Sequence, residues 1–168
     1  MLPASLTDLA RDVLAACDAA GLTVATAESC TGGLAAAALT AIAGSSRVVA
    51  CGFVTYSNRA KTRMLGVPEA LLDAHGAVSE AVARAMAEGA LAHSDADVAV
   101  AITGIAGPGG GSDDKPVGLV HFAGARRGGA TRVRREVFAG DRDAVRLAAS
   151  CTALSLIREL ATQPSPPP

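Results

Sequence analysis

The run Val98-Ala99-Val100-Ala101-Ile102 constrains the fold most. Every position is apolar, without the alternation of a strand that has one wet face, so it reads as a central strand covered on both sides. Such a strand needs helices on either side of it in the chain. Leu6, Leu9, Val13, Ala16, Cys17 and Ala20 recur at helical spacing, with Ser5-Leu6-Thr7-Asp8 as an N-cap and Gly21 as the stop. Leu22 to Ala25 reads as a short buried strand, Leu34 to Ile42 as a helix and Val48 to Tyr56 as a second strand. Ser57 or Asn58 caps a short helix that carries Lys61 and ends at Gly66. Pro68 opens another through His75, and Ser79 caps a long one to about Ala92.

After the central run comes a glycine-rich loop, Gly104 to Pro116, of a length usually reserved for function or mobility. Val117 to Ala123 and Arg132 to Phe138 flank Arg126-Arg127-Gly128-Gly129 as an antiparallel hairpin, its arginines read as a solvated face. Asp141 caps a last helix to about Leu160. The order of elements gives an α/β fold, a single-domain three-layer α/β/α sandwich with a mixed sheet over residues 1–162. Residues 163–168 form a Pro-rich tail with no reason to fold.

Composition removes several function classes. The 168 residues suit one domain, and 15 Lys+Arg against 16 Asp+Glu leave no basic excess to follow a nucleic-acid backbone. No apolar stretch is long enough to span a bilayer, and Asp8, Arg11, Asp12 and Asp18 interrupt any secretory signal. Cys17, Cys30, Cys51 and Cys151 form no C-x-x-C pair, and His75, His93 and His121 show no ligand spacing. No metal or cofactor is therefore expected, and the cysteines read as reduced thiols of a cytoplasmic protein.

Three segments can carry chemistry, and all fall at predicted strand ends, where α/β folds place their ligands. In Glu28-Ser29-Cys30-Thr31-Gly32-Gly33 a hydroxyl sits on a strand-to-helix turn beside free backbone N–H groups, which suit a phosphate or an oxyanion. A capped turn explains the same residues, and Cys30 is a rival nucleophile. In Tyr56-Ser57-Asn58-Arg59-Ala60-Lys61 the only tyrosine precedes a lysine that burial can turn into a base. A surface lysine beside a half-buried tyrosine is the plainer reading. Thr103-Gly104-Ile105-Ala106-Gly107-Pro108 lets backbone approach a ligand but matches neither a dinucleotide fingerprint nor a P-loop.

Together these segments are far more specific than any one of them. Thr26-Ala27-Glu28-Ser29-Cys30-Thr31-Gly32-Gly33, Val54-Thr55-Tyr56-Ser57-Asn58 with Lys61, His75-Gly76-Ala77-Val78-Ser79, and Thr103 to Pro108 with Lys115-Pro116-Val117-Gly118 resemble the signature of the CinA C-terminal family from about Leu6 to Leu160. Only Asp113-Asp114 differs mildly, standing where relatives often carry two Glu. The resemblance implies nicotinamide-nucleotide amidohydrolase activity: nicotinamide mononucleotide and water give nicotinate mononucleotide and ammonia, in pyridine-nucleotide salvage. It implies Ser29 as nucleophile with Lys61 and Tyr56 activating it, either being the immediate base. Glu28, Cys30, Thr31, Gly32, Gly33, Asn58, Thr103, Gly104 and Gly107 are the expected substrate-binding positions. It further implies a homo-oligomer, a dimer by resemblance, whose partner is a small nucleotide rather than a nucleic acid or a membrane. Many relatives carry an N-terminal pyrophosphatase-type domain, and this chain looks like the stand-alone form.

Two alternatives compete: a non-catalytic nucleotide-binding or competence-linked interaction domain, and a different amidase or esterase on the same fold. A short-chain dehydrogenase is set aside, because its Y-x-x-x-K spacing is absent.

Overall fold

The computed structural model describes residues 1–164; the rest of the expected tail lies outside the described residues. The chain order is α1 (Ala4–Ala20), β1 (Val24–Glu28), α2 (Leu34–Thr40), a 3-10 turn (Ser45–Arg47), β2 (Val49–Val54), α3 (Asn58–Leu65), α4 (Glu69–His75), α5 (Glu80–Ala92), β3 (Val98–Gly104), β4 (Leu119–Arg126), β5 (Arg132–Val137) and α6 (Arg142–Ala161). The five strands lie in the order β2-β1-β3-β4-β5. β1 pairs in parallel with both β2 and β3, while β4 is antiparallel to β3 and to β5. The sheet is mixed, as expected, and the apolar run of β3 sits at its centre.

The alternation of large and small residues within β3 has a structural meaning. Val24, Val98, Val100, Ile102, Val120 and Phe122 face one core, shared with α1, α2 and α6. Ala25, Ala27, Ala99, Ala101, Ala123 and Ala125 face the other, shared with α3, α4 and α5. The alanine face admits α5 close to the sheet, and α3 in turn lies close on α5. A Cβ on Gly89 of α5 would stand 2.0 Å from the Leu65 carbonyl oxygen, so only glycine fits that crossing.

Several boundaries differ from those read in the sequence. α1 starts at Ala4 with Pro3 at its cap and no side-chain cap bond, so Ser5 lies inside the helix. β1 starts two residues later than expected and runs on to Glu28. Asp97 Oδ2 accepts from the Thr23 N–H at 2.8 Å and from its hydroxyl at 2.9 Å, which holds the Leu22-Thr23 stretch as a clamp before the strand. β4 begins at Leu119, because Gly118 turns the chain with φ 92°.

Arg132 and Arg135 of the hairpin are exposed, as expected, but Arg126 and Arg127 do more than solvate a face. Arg126 lies in β4 and donates to Leu160 O at 2.8 Å and Gln163 O at 3.0 Å, closing the end of α6. Arg127 donates to Leu91 O, Ser94 O and Ala96 O beyond the end of α5. Both satisfy helix-terminal carbonyls that have no intrahelical partner. No helix among the described residues is long and apolar enough to cross a membrane.

Candidate active site

Because β1, β2 and β3 run parallel, their carboxyl ends share one edge of the sheet. Ser29 follows β1, Thr55 and Tyr56 follow β2, and Gly104 closes β3. The three segments singled out in the sequence therefore meet there, around a cavity of about 290 Å³. A larger groove of about 420 Å³ runs along α3 and α4 and shares Asn58 with it, but holds no nucleophile. Chemistry selects the smaller one.

Lys61 is the unusual residue of this cavity. It is only 1% exposed and is the only charged residue among the largest fully buried side chains of the described residues. Ser57 caps α3 by accepting from the Ala60 N–H at 3.1 Å, which sets the helix so that Lys61 points inward. Its Nζ lies 3.0 Å from Ser29 Oγ and 2.8 Å from Thr55 O. Burial lowers its pKa from 10.5 to about 8, because the charged form loses water. A lysine near neutrality at hydrogen-bond distance from a serine hydroxyl is equipped to take its proton.

Cys30 also lines the cavity. Burial pushes its thiol up to about 11, and the negative charge of Glu28 adds to this against the opposing pull of Lys61 and Arg142. It stays a thiol at neutral pH and is a poor nucleophile there.

The expected substrate-binding positions divide. Cys30, Asn58, Thr103, Gly104 and Gly107 line the cavity. Glu28, Thr31, Gly32 and Gly33 do not, and each is tied to the turn itself. Glu28 is fully buried, and its carboxylate accepts from the N–H groups of Gly33, Ala35 and Ala36 at 2.9–3.1 Å, capping α2 from the preceding strand. Gly32 and Gly33 supply the left-handed backbone, φ 61° and 95°, that the turn requires. The Gly32 N–H donates to Ser29 O at 3.0 Å. The N–H groups of Cys30 and Thr31 donate to no other residue among the described residues, and of the two only Cys30 lines the cavity, so its amide is left for a ligand beside Ser29.

Tyr56 reaches the cavity but is 60% exposed. Its hydroxyl accepts from Arg142 Nη2 at 2.9 Å, and among the described residues no hydrogen bond joins it to Lys61 or Ser29. Arg142 itself was not legible as a site residue. Its Nη1 donates to Gly107 O at 3.0 Å, and it makes no ion pair among the described residues. One signal for it existed: it is the first residue of α6, where a cation opposes the helix dipole and needs another reason to be present.

Thr103 and Lys115 brace the far wall. Thr103 donates its hydroxyl to Ala77 O at 2.8 Å, and Lys115 Nζ donates to His75 O at 2.6 Å. No group of three His, Cys, Asp or Glu that suits a metal ion occurs among the described residues.

The model of one protein family, described as the CinA C-terminal domain, matches residues 6–161. The chain belongs to that family. Among its CinA relatives, the Escherichia coli K12 protein named nicotinamide-nucleotide amidohydrolase PncC is 55% identical over 157 residues, which cover 94% of this chain and 95% of that one. A CinA-like protein of Geobacter sulfurreducens is 58% identical over 138 residues, covering 82% of this chain but only 33% of its own length. The chain thus spans about a third of some relatives and nearly all of others. The crystal structure of the competence/damage inducible protein CihA of Agrobacterium tumefaciens superposes with TM-score 0.93 at 51% identity, covering 97% of this chain and 99% of that one.

Proposed function

We propose that this chain hydrolyses the carboxamide of nicotinamide mononucleotide, with Ser29 as nucleophile and Lys61 as the immediate base, in cytoplasmic pyridine-nucleotide salvage. The observation that carries this reading is the 3.0 Å contact between Ser29 Oγ and the Nζ of a buried lysine that forms no ion pair among the described residues. The name of the E. coli relative supports the substrate. The engagement of the Tyr56 hydroxyl by Arg142 favours Lys61 over Tyr56 as base.

In this scheme neutral Lys61 Nζ takes the Ser29 hydroxyl proton as Oγ attacks the carboxamide carbon. The carbonyl electron pair moves to oxygen, and the Cys30 amide at the cavity receives the oxyanion. Losing one such donor typically lowers kcat by about 10²–10³. The intermediate collapses with cleavage of the C–N bond, the Lys61 ammonium returns its proton to the nitrogen, and ammonia leaves. Water then gives a proton to Lys61 and attacks the Ser29 ester, and collapse releases nicotinate mononucleotide while Oγ regains its proton. Arg142, in no ion pair among the described residues, takes the 5′-phosphate at the cavity rim, with Tyr56 beside it.

Ammonia release from nicotinamide mononucleotide, with a chelator present, tests the scheme. The parent is expected to be active, Ser29→Ala and Lys61→Met inactive, and nicotinamide riboside a far poorer substrate. Nucleotide binding without ammonia release by the parent would sink the enzyme reading in favour of a binding domain. Equal rates on the riboside would point to a different amidase.

A further inference from the structure

Arg146 lies one helical turn beyond Arg142 on the same face of α6, but it does not line the cavity. Its Nη2 donates to Thr31 O at 3.0 Å. That carbonyl belongs to the peptide unit whose other end is the Gly32 N–H, and the Gly32 N–H donates to Ser29 O at 3.0 Å. The Ser29 carbonyl belongs in turn to the peptide unit whose other end is the Cys30 N–H, which donates to no other residue among the described residues. A guanidinium, two peptide units and a vacant donor are thus joined head to tail, each bond aligned to strengthen the next.

We infer that Arg146 is a positioning residue that polarises and orients the Cys30 amide through the Thr31–Gly32 and Ser29–Cys30 peptide units, strengthening the oxyanion donor without touching substrate. Three features support this. A donor that is ionised makes the strongest kind of hydrogen bond. Chains of hydrogen bonds in a low-dielectric interior reinforce one another, by roughly 10–30% per bond. Among the described residues the one carboxylate paired with Arg146 is Asp143 at 3.9 Å, and its side chain is 92% exposed, so solvent screens it and the guanidinium keeps most of its field for the turn. The relay also gives the glycine at position 32 a second purpose. Its φ of 61° turns the peptide so that one end meets Arg146 and the other meets Ser29 O.

The inference rests on the amidohydrolase reading, so the experiment separates the two. Steady-state kinetics with nicotinamide mononucleotide are compared for the parent, Ser29→Ala, Arg146→Gln and Arg146→Lys, together with the ¹H–¹⁵N amide shifts of Cys30 and Gly32. Losing the donor outright is worth about 10²–10³ in kcat, so weakening it through Arg146→Gln is expected to lower kcat roughly three- to tenfold while KM stays within about twofold. The limb of the pH profile assigned to Lys61 stays in place. Arg146→Lys, which keeps the charge and one donor, recovers part of the loss, and both amide protons move upfield in Arg146→Gln. A parent without activity overturns the amidohydrolase reading and this inference with it. An active, Ser29-dependent parent whose Arg146→Gln variant keeps its kcat, or loses only KM, overturns the inference alone. If Arg146→Gln fails to fold, Arg146→Lys decides: a kcat equal to the parent's with unmoved Cys30 and Gly32 shifts rejects the relay.

Discussion

At the scale of single residues, Lys61 trades stability for chemistry. Its folded pKa of about 8 lies below the value of 10.5 for a free lysine, so folding disfavours its protonated form. Below pH 8 both folded and unfolded chains hold the proton, and the penalty is fully present. Between about pH 8 and 10.5 the unfolded chain binds more protons, so stability contributed by this site rises with pH. At about 1.4 kcal/mol per pKa unit the penalty is on the order of 3–4 kcal/mol. Lys61→Met should therefore be inactive yet more resistant to urea than the parent at pH 7, with the gap narrowing as pH climbs; a variant less stable at every pH refutes this. Activity should rise with pH along a limb near 8 in the kcat/KM profile. Cys30 behaves oppositely. With its thiol held at about 11, Cys30→Ala should keep kcat within a few-fold of the parent, and thiol alkylation at pH 7.5 should spare the site; loss comparable to Ser29→Ala would make it the nucleophile.

At the scale of elements, the turn after β1 depends on Glu28 and the α3–α5 crossing on Gly89. Glu28→Ala leaves three amides of the α2 N-terminus without their acceptor in a buried place. Unsatisfied buried donors cost about 1–3 kcal/mol each at most, so a melting temperature lowered by several degrees is expected, and activity should fall with it as the Ser29 turn loosens. Gly89→Ala pushes a methyl group into the Leu65 carbonyl, and overpacking of this kind typically costs about 1–3 kcal/mol. Because Leu65 ends the helix that carries Lys61, the same change should also disturb the Lys61–Ser29 contact, which ammonia-release assays would register. A Gly89→Ala protein with unchanged melting and turnover would show that α3 and α5 move apart freely.

At the scale of the whole molecule, protection should follow the sheet. β1 and β3 are buried almost throughout, whereas β5 is exposed at five of its six positions. Hydrogen exchange is expected to be slowest in β1 and β3 and fastest among the strands in β5; equal rates across the sheet would contradict the burial pattern. The same contrast explains what the sequence made legible. The apolar run of β3, the caps at Ser57, Ser79 and Asp141, and the stop at Gly21 are local signals, and each stands where it was expected. Ser29 and Lys61 were legible because short motifs carry them. Arg146 was not, since nothing near it in the chain marks a turn more than a hundred residues earlier, and Arg142 carried only its place at the start of α6 as a signal. Glu28, which the residues alone suggest as a cap and the resemblance as a substrate contact, caps α2; a carboxylate beside a candidate nucleophile looks the same in one dimension whether it faces a ligand or a helix.

The last described helix also makes the cavity depend on a distant part of the chain. Arg142, at the rim of the cavity, and Arg146, on the Ser29 turn, both come from α6, which also packs into the larger core against β3 and β4. A chain cut before Arg142 would keep Ser29 and Lys61 but lose the Arg142 wall of their cavity and that share of the core. Ammonia release is expected to vanish from such a truncation, so removing α6 by proteolysis should silence the site as surely as Ser29→Ala does.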